Sequence, residues 1–191
     1  MVGKVKDPKR VKAGKKSKRK GNSNERAVAK LLATWWGAGE FMRTPSSGGW
    51  GRSKQVRDDF NAAGDIVTTA TDFPFCVEVK SEERWELEQL LTSPETCPIA
   101  RWWKQAVEET PVGKSPLLLF TRKHRPWYAM GDHASLGSIL AFVRSGTESS
   151  LSVWTVTINR RTAYLMLAAS LMSVPPRTIL AAMMPVRRPM L

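Results

Sequence analysis

The stretch Gly64-Asp65-Ile66-Val67-Thr68-Thr69-Ala70-Thr71-Asp72-Phe73-Pro74-Phe75-Cys76-Val77-Glu78-Val79-Lys80-Ser81 decides how this chain is read. It holds two runs of strand character, residues 65–70 and 75–80, joined by the tight connection Thr71-Asp72-Phe73-Pro74. Side chains alternate faces along a strand, so Glu78 and Lys80 share one face while Val77 and Val79 turn to the core on the other. Pairing Ala70 with Phe75 across the turn sets Asp65 opposite Lys80 and Val67 opposite Glu78. That register predicts Asp65, Glu78 and Lys80 on one side of a hairpin, and a slip of one residue would separate them.

Two carboxylates held close together repel each other, and a hard divalent cation between them, Mg²⁺ or Mn²⁺, relieves the repulsion. A lysine beside such an ion can orient or deprotonate a water and stabilise charge on a phosphate, which are the parts of metal-assisted phosphodiester hydrolysis. Taken alone, Glu-x-Lys is a weak signal, because alternating charge is common on a solvated strand face.

Working outward, Val28, Leu31, Leu32 and Trp35 follow helical spacing, with Asn22 or Ser23 as the cap and Gly37 as the stop. Glu25 continues the same stripe. A short strand is expected over 40–44, followed by a Gly/Ser/Arg-rich loop from Pro45 to Gly64, a length that usually marks function. Downstream, a helix is expected from about Pro98 to Glu109. Strands are expected over 117–121 and 126–130, then a helix over 133–144 and a strand over 151–157. Residues 162–172 and 177–184 look like two short apolar helices split by Pro175-Pro176. The order describes an α/β domain with a mixed central sheet flanked by helices and a helical C-terminal extension. The expected divisions are 1–21, a basic arm without fixed structure in isolation; 22–159, the folded domain; and 160–191, the apolar extension.

Charge is spread unevenly. The chain of 191 residues carries a formal charge of +13, and ten of its 30 Lys and Arg fall in the first 20 residues beside one acid, Asp7. Such an arm suits binding to phosphates by counterion release, with Lys15, Lys16, Lys18, Arg19 and Lys20 nearest the folded part. A solvated, solubilising arm is the plainer alternative. Two cysteines, Cys76 and Cys97, make no disulfide framework or zinc spacing and point to a reducing compartment, the cytoplasm. The longest charge-free apolar-leaning run, 162–176, is too short for a membrane span and ends in Pro-Pro, so no membrane partner is expected.

The motifs together resemble a known family. Asp-(x)12-Glu-x-Lys, with a glycine before the Asp and a hydrophobic strand around Glu-x-Lys, resembles the PD-(D/E)XK nuclease superfamily, whose fold is the restriction-endonuclease-like one. More narrowly, K-x-K-G-N-S-N-E-R over 18–26, R-T-P-S-S-G over 43–48, G-D-I-V and V-E-V-K-S look like archaeal and phage Holliday junction resolvases. The resemblance covers roughly Lys18 to Met130. It implies active-site roles for Glu25, Asp65, Glu78 and Lys80, with metal held by Asp65, Glu78 and Glu25. It also implies a functional serine at Ser47, with Ser46 as the alternative, and a site contact from Gln105. Arg43 and Arg52 are read as further DNA contacts beside the lysines of the arm.

Each residue has a plainer reading too. Glu25 could be an acid favoured by the helix dipole, Ser47 a turn residue and Gln105 a solvated helix position. Cys76 reads as packing, and Trp85, Trp102 and Trp103 as core. The expected function is metal-dependent cleavage of four-way DNA junctions by a homodimer, phage-encoded, acting in the host cytoplasm and needing no organic cofactor. The apolar segment 160–191 is the expected dimer contact. The alternatives are a nuclease of the same fold acting on duplex, flap or nicked DNA, and a non-catalytic DNA-binding protein retaining the fold.

Overall fold

A computed structural model describes residues 8–44, 63–145 and 151–183. Its first element, α1 (Pro8–Trp36), buries Val28, Ala29, Leu32 and Trp36 against the sheet. Gly37, at φ +72°, closes it by donating its N–H to Ala33 O, the left-handed termination expected there. The start differs from the sequence reading. The helix does not begin at a Ser23 cap but runs back through the basic stretch to Pro8. Once the buried stripe nucleates the helix, it propagates through a segment dominated by Lys and Arg, good helix formers that outnumber Gly14 and Gly21, and Pro8 suits the first helical position.

Two short strands, β1 (Phe41–Arg43) and β2 (Ile66–Thr68), pair antiparallel, with Met42 beside Val67. Next come β3 (Phe75–Ser81), α2 (Gln89–Thr92), α3 (Pro98–Glu109), β4 (Ser115–Thr121) and β5 (Tyr128–Asp132). A π-helical turn over His133–Gly137 leads into α4 (Ser138–Ser145), then β6 (Trp154–Ile158), β7 (Arg161–Leu167), α5 (Ala168–Met172) and α6 (Pro176–Met183). The main sheet has five strands in the order β3-β4-β5-β7-β6, with β3 and β4 parallel and the other neighbours antiparallel. This is a mixed sheet flanked by helices, as expected. The parallel β3–β4 pair needs a long crossover, and α2 and α3 supply it.

Both faces of the sheet are covered, which explains the uninterrupted apolar run of β4. Val77, Val79, Leu117, Leu119 and Met166 pack under α1, α4 and α6. Leu118, Phe120, Ala163 and Leu165 pack under α3 with Trp85, Trp102 and Trp103, so those three tryptophans are core. Cys97 starts α3 by accepting the Ala100 N–H on its sulfur, with Pro98 at the first turn. Among the described residues, no helix is long and apolar enough to cross a membrane.

Two further expectations are corrected. The hairpin register is the first: β2 pairs with β1 and not with β3, so Asp65 does not face Lys80. The connection does turn tightly, with the Phe73 N–H donating to Ala70 O at 3.2 Å, but it closes no β2–β3 ladder, because Phe73 is 2% exposed and sits between Trp36 and Phe41, with ring centroids 5.0 Å from each. Burying that ring pulls residues 69–74 away from a two-stranded ladder. Gly64 instead bridges Val77 in parallel fashion at φ +76°, where a Cβ would stand 2.4 Å from Val77 O. Only glycine allows that approach.

The second correction is the C-terminal segment. Most of 162–172 is strand rather than helix, and β7 is inserted between β5 and β6. Ala163 and Leu165 enter one core and Met166 the other, so an apolar strand buried on both faces lost the alternation that would have marked it. Leu171, Val174 and Ile179 are buried in the same molecule. The boundary expected after Asn159 therefore falls inside a hairpin turn, and 160–183 is part of the core rather than an extension left over for a partner chain.

Candidate active site

Asp65 leaves β2 at the free edge of β3, beside Val77 to Val79. Its backbone N–H donates to Val77 O at 2.8 Å, and its Oδ2 accepts the N–H of Val79 at 2.8 Å. These two bonds carry the carboxylate to the strand that bears Glu78 and Lys80. Glu78 is 4% exposed, and Lys80 Nζ lies 2.6 Å from its Oε1. The third acid, Glu25, comes from α1, where Arg43 Nε on β1 holds its Oε2 at 3.1 Å. Four sequence-predicted residues, Glu25, Asp65, Glu78 and Lys80, thus meet at one sheet edge, though by a different register from the one expected.

The charge of Asp65 acts on both of the other acids. Burial pushes the Asp65 carboxyl above the usual carboxylate range, opposed by the hydrogen bond from Val79 and by Lys80. Burial also raises Glu78, and the Asp65 charge raises it further while Lys80 offsets part of the shift. Glu25 is raised by burial and by Asp65, with Arg43 and Lys80 pulling the other way. Three carboxyls held above their ordinary range gain most from a shared divalent cation. Among the described residues, no three acid, histidine or cysteine side chains converge as a ready-made cage. An open set of carboxylates is nevertheless what Mg²⁺ uses, since it keeps several waters and takes one or two carboxylates plus a phosphate. The hard oxygen donors of Asp65, Glu78 and Glu25 at this sheet edge fit such an ion.

The other predicted residues divide. Ser47, its alternative Ser46, and Arg52 lie outside the described residues. Lys15, Lys16, Lys18, Arg19 and Lys20 stand on the turns of α1 before Glu25. Arg43, read from the sequence as a DNA contact, is engaged with Glu25. Gln105 donates Nε2–H to Glu109 Oε1 on the next turn of its own helix, at 3.0 Å. Cys76 is buried between Gly64 and Thr110, its thiol pushed up by burial, and packs beneath the site.

Glu109 was missed. At the last turn of α3, its charge is felt by Asp65, Glu78 and Cys76 and raises all three. A signal was available, because Ile99, Trp102 and Ala106 form the buried stripe of α3 and Glu109 continues it. An acid placed at the end of an apolar stripe is out of pattern.

Comparison with curated proteins and with solved structures gives no match. A model of one protein family, described as "Phage putative PDDEXK endonuclease", matches residues 16–174, from the basic half of α1 through β7 to α5. Those bounds enclose all four residues of the site and the strand that completes the sheet, and the chain belongs to that phage PDDEXK endonuclease family.

Proposed function

We propose that the protein is a divalent-metal-dependent endodeoxyribonuclease that cuts four-way DNA junctions, acting as a homodimer. The observation that carries the chemistry is the meeting of three acids at the β3 edge, where Asp65 is bonded to Val79, Lys80 pairs with Glu78 and Arg43 pairs with Glu25. Asp65 and Glu78 would hold the ion, Mg²⁺ or Mn²⁺, with Glu25 assisting. A bound ion of this kind lowers the pKa of a water and neutralises charge on a phosphate.

The remaining work falls to the chain itself. The Val79 N–H fixes the orientation of the Asp65 carboxylate, leaving Oδ1 for the reacting group. Lys80, partly exposed and paired with Glu78, would orient the attacking water and stabilise charge on the phosphate. Arg43 holds Glu25 at the mouth of the site until the substrate arrives. The lysines and arginine of α1 before Glu25 would bind flanking phosphates without reading sequence. Support for the junction as substrate comes from the motifs over 18–26 and 43–48. Symmetric resolution also needs two sites, hence two copies. The phage family fits action in a host cytoplasm, where Cys76 and Cys97 stay reduced.

A cleavage panel tests the reading, with four-way junction, flap, nicked duplex, duplex and single strand each incubated with Mg²⁺, Mn²⁺ or a chelator. Paired, metal-dependent incisions in the junction are expected. Equal cutting of duplex or flap would move the substrate to ordinary DNA. Binding without cutting in either metal would leave a DNA-binding protein that retains the fold.

A further inference from the structure

The outer edge of the sheet ends in a strand without protection. β6 is the terminal strand, and among the described residues nothing pairs with its outer side. Soluble proteins guard such edges with a charge, a proline, a bulge or a covering element. The strand Trp154-Thr155-Val156-Thr157-Ile158 carries neither charge nor proline, and Trp154 is 51% exposed.

The direction of its hydrogen bonds follows from the turn. Asn159 and Arg160, at φ +50° and +62°, form the two-residue connection between β6 and β7, so the pair that closes it, Ile158 with Arg161, is hydrogen-bonded. Bonded and non-bonded pairs then alternate along the ladder. Trp154, Val156 and Ile158 direct their backbone groups to β7, while Thr155 and Thr157 direct theirs outward.

We infer that β6 is a homodimer edge, where a second copy of this chain adds its own β6 antiparallel about a two-fold axis through Val156. In that register Thr155 opposes the copy's Thr157 and Thr157 opposes the copy's Thr155. Both are pairs that exchange two main-chain bonds. The side chains match about the same axis, with threonine facing threonine on one side of the sheet and Trp154 facing the copy's Ile158 on the other. An isologous contact requires this self-complementarity.

Charge agrees with the pairing. A groove of about 450 Å³ at the Trp154 end is bounded by Leu91 and Glu88. Another of about 440 Å³ at the Ile158 end is bounded by Arg161 and by the Lys104–Glu108 ion pair. The two-fold joins the first groove of one copy to the second of the other, which sets Glu88 toward Arg161 and covers Leu91, 82% exposed in the single chain. The product is one ten-stranded sheet. Its two-fold stands perpendicular to the sheet, so both Glu78 faces look the same way. At about 4.8 Å per strand, the two β3 edges lie roughly 40 Å apart along the sheet.

This edge provides the pairing that the junction reading calls for and rests on that reading only for its use on DNA. Sedimentation of the full chain tests it without any cleavage assay. A concentration-dependent dimer is expected. T155K/T157K sets lysine against lysine at both threonine pairs and should weaken the dimer about tenfold or more. T155K/T157E sets lysine against glutamate at both and should restore it. Both pairs of substitutions are on exposed positions, and circular dichroism checks that each variant is folded. A wild-type chain that stays monomeric at high concentration overturns the inference, as does a T155K/T157K dimer as tight as wild type. A dimer that obeys the charge pattern but cuts no DNA would refute the nuclease reading and leave this edge standing.

Discussion

The Oδ2 atom of Asp65 accepts the backbone N–H of Val79 at 2.8 Å, which ties an acid just ahead of β2 to the residue between Glu78 and Lys80 on β3. The bond uses one carboxylate oxygen and the strand's free edge, where no neighbouring strand competes for the Val79 N–H.

Asp65→Asn and Glu78→Gln should each lower junction cleavage by more than about 100-fold, since even residues that only orient a metal ligand cost 10–100-fold when removed. DNA binding should persist or tighten, because a negative charge facing phosphate is gone. Single-turnover cleavage beside a binding titration measures both. Near wild-type turnover in either variant would remove that acid from the site.

Arg43→Ala takes away the cation that holds Glu25 and lowers its pKa. The Mg²⁺ concentration for half-maximal cleavage should rise by about tenfold or more, and Arg43→Lys should recover part of the loss. A metal requirement that does not move would show that the Arg43–Glu25 pair serves only the fold.

Glu25, Asp65 and Glu78 all have folded-state pKa values above their ordinary ones, so the folded protein binds more protons than the unfolded chain between the two. In that window stability falls as pH rises. Their contribution in the metal-free protein is therefore fully present below the ordinary carboxylate range and lost as pH climbs through the raised values. The melting temperature of the metal-free protein should rise on acidification from neutral pH toward about 5, and Asp65→Asn should flatten that slope. Mg²⁺ should stabilise more at neutral pH than in acid, because metal and proton compete for the same oxygens. Calorimetry over a pH series, with and without metal, checks the sign.

Deleting residues 1–20 removes ten cations and the first half of α1. Affinity should fall for all DNAs alike, and the slope of log K against log salt should become shallower. An unchanged slope would mean that the arm does not touch phosphate.

Truncation after Asn159 should fail to fold rather than give a monomeric domain. It removes β7 from between β5 and β6 and takes Met166, Leu171 and Ile179, all buried, out of the core. Each large core side chain lost costs about 2–5 kcal/mol, and domain stability is only about 5–15 kcal/mol. Soluble protein with a sigmoidal melt would contradict this.

The sequence by itself determined which side chains make up the candidate site and most of the local structure around them. Asp65, Glu78 and Lys80 could be read from spacing, Glu25 from its motif, and α3 from its apolar stripe, because these signals are local and periodic. The single tertiary fact of Phe73 burial undid the hairpin register. An aromatic ring seeking Trp36 and Phe41 leaves no trace in the alternation of its neighbours. The placement of β7 was hidden for a related reason, since a strand covered on both faces is apolar throughout and matches a buried helix in composition. Arg43 on Glu25 and Glu109 beside Asp65 also waited for the fold, as both depend on which helix end meets which strand edge. Periodicity reports the face a residue belongs to, and only packing decides what that face meets.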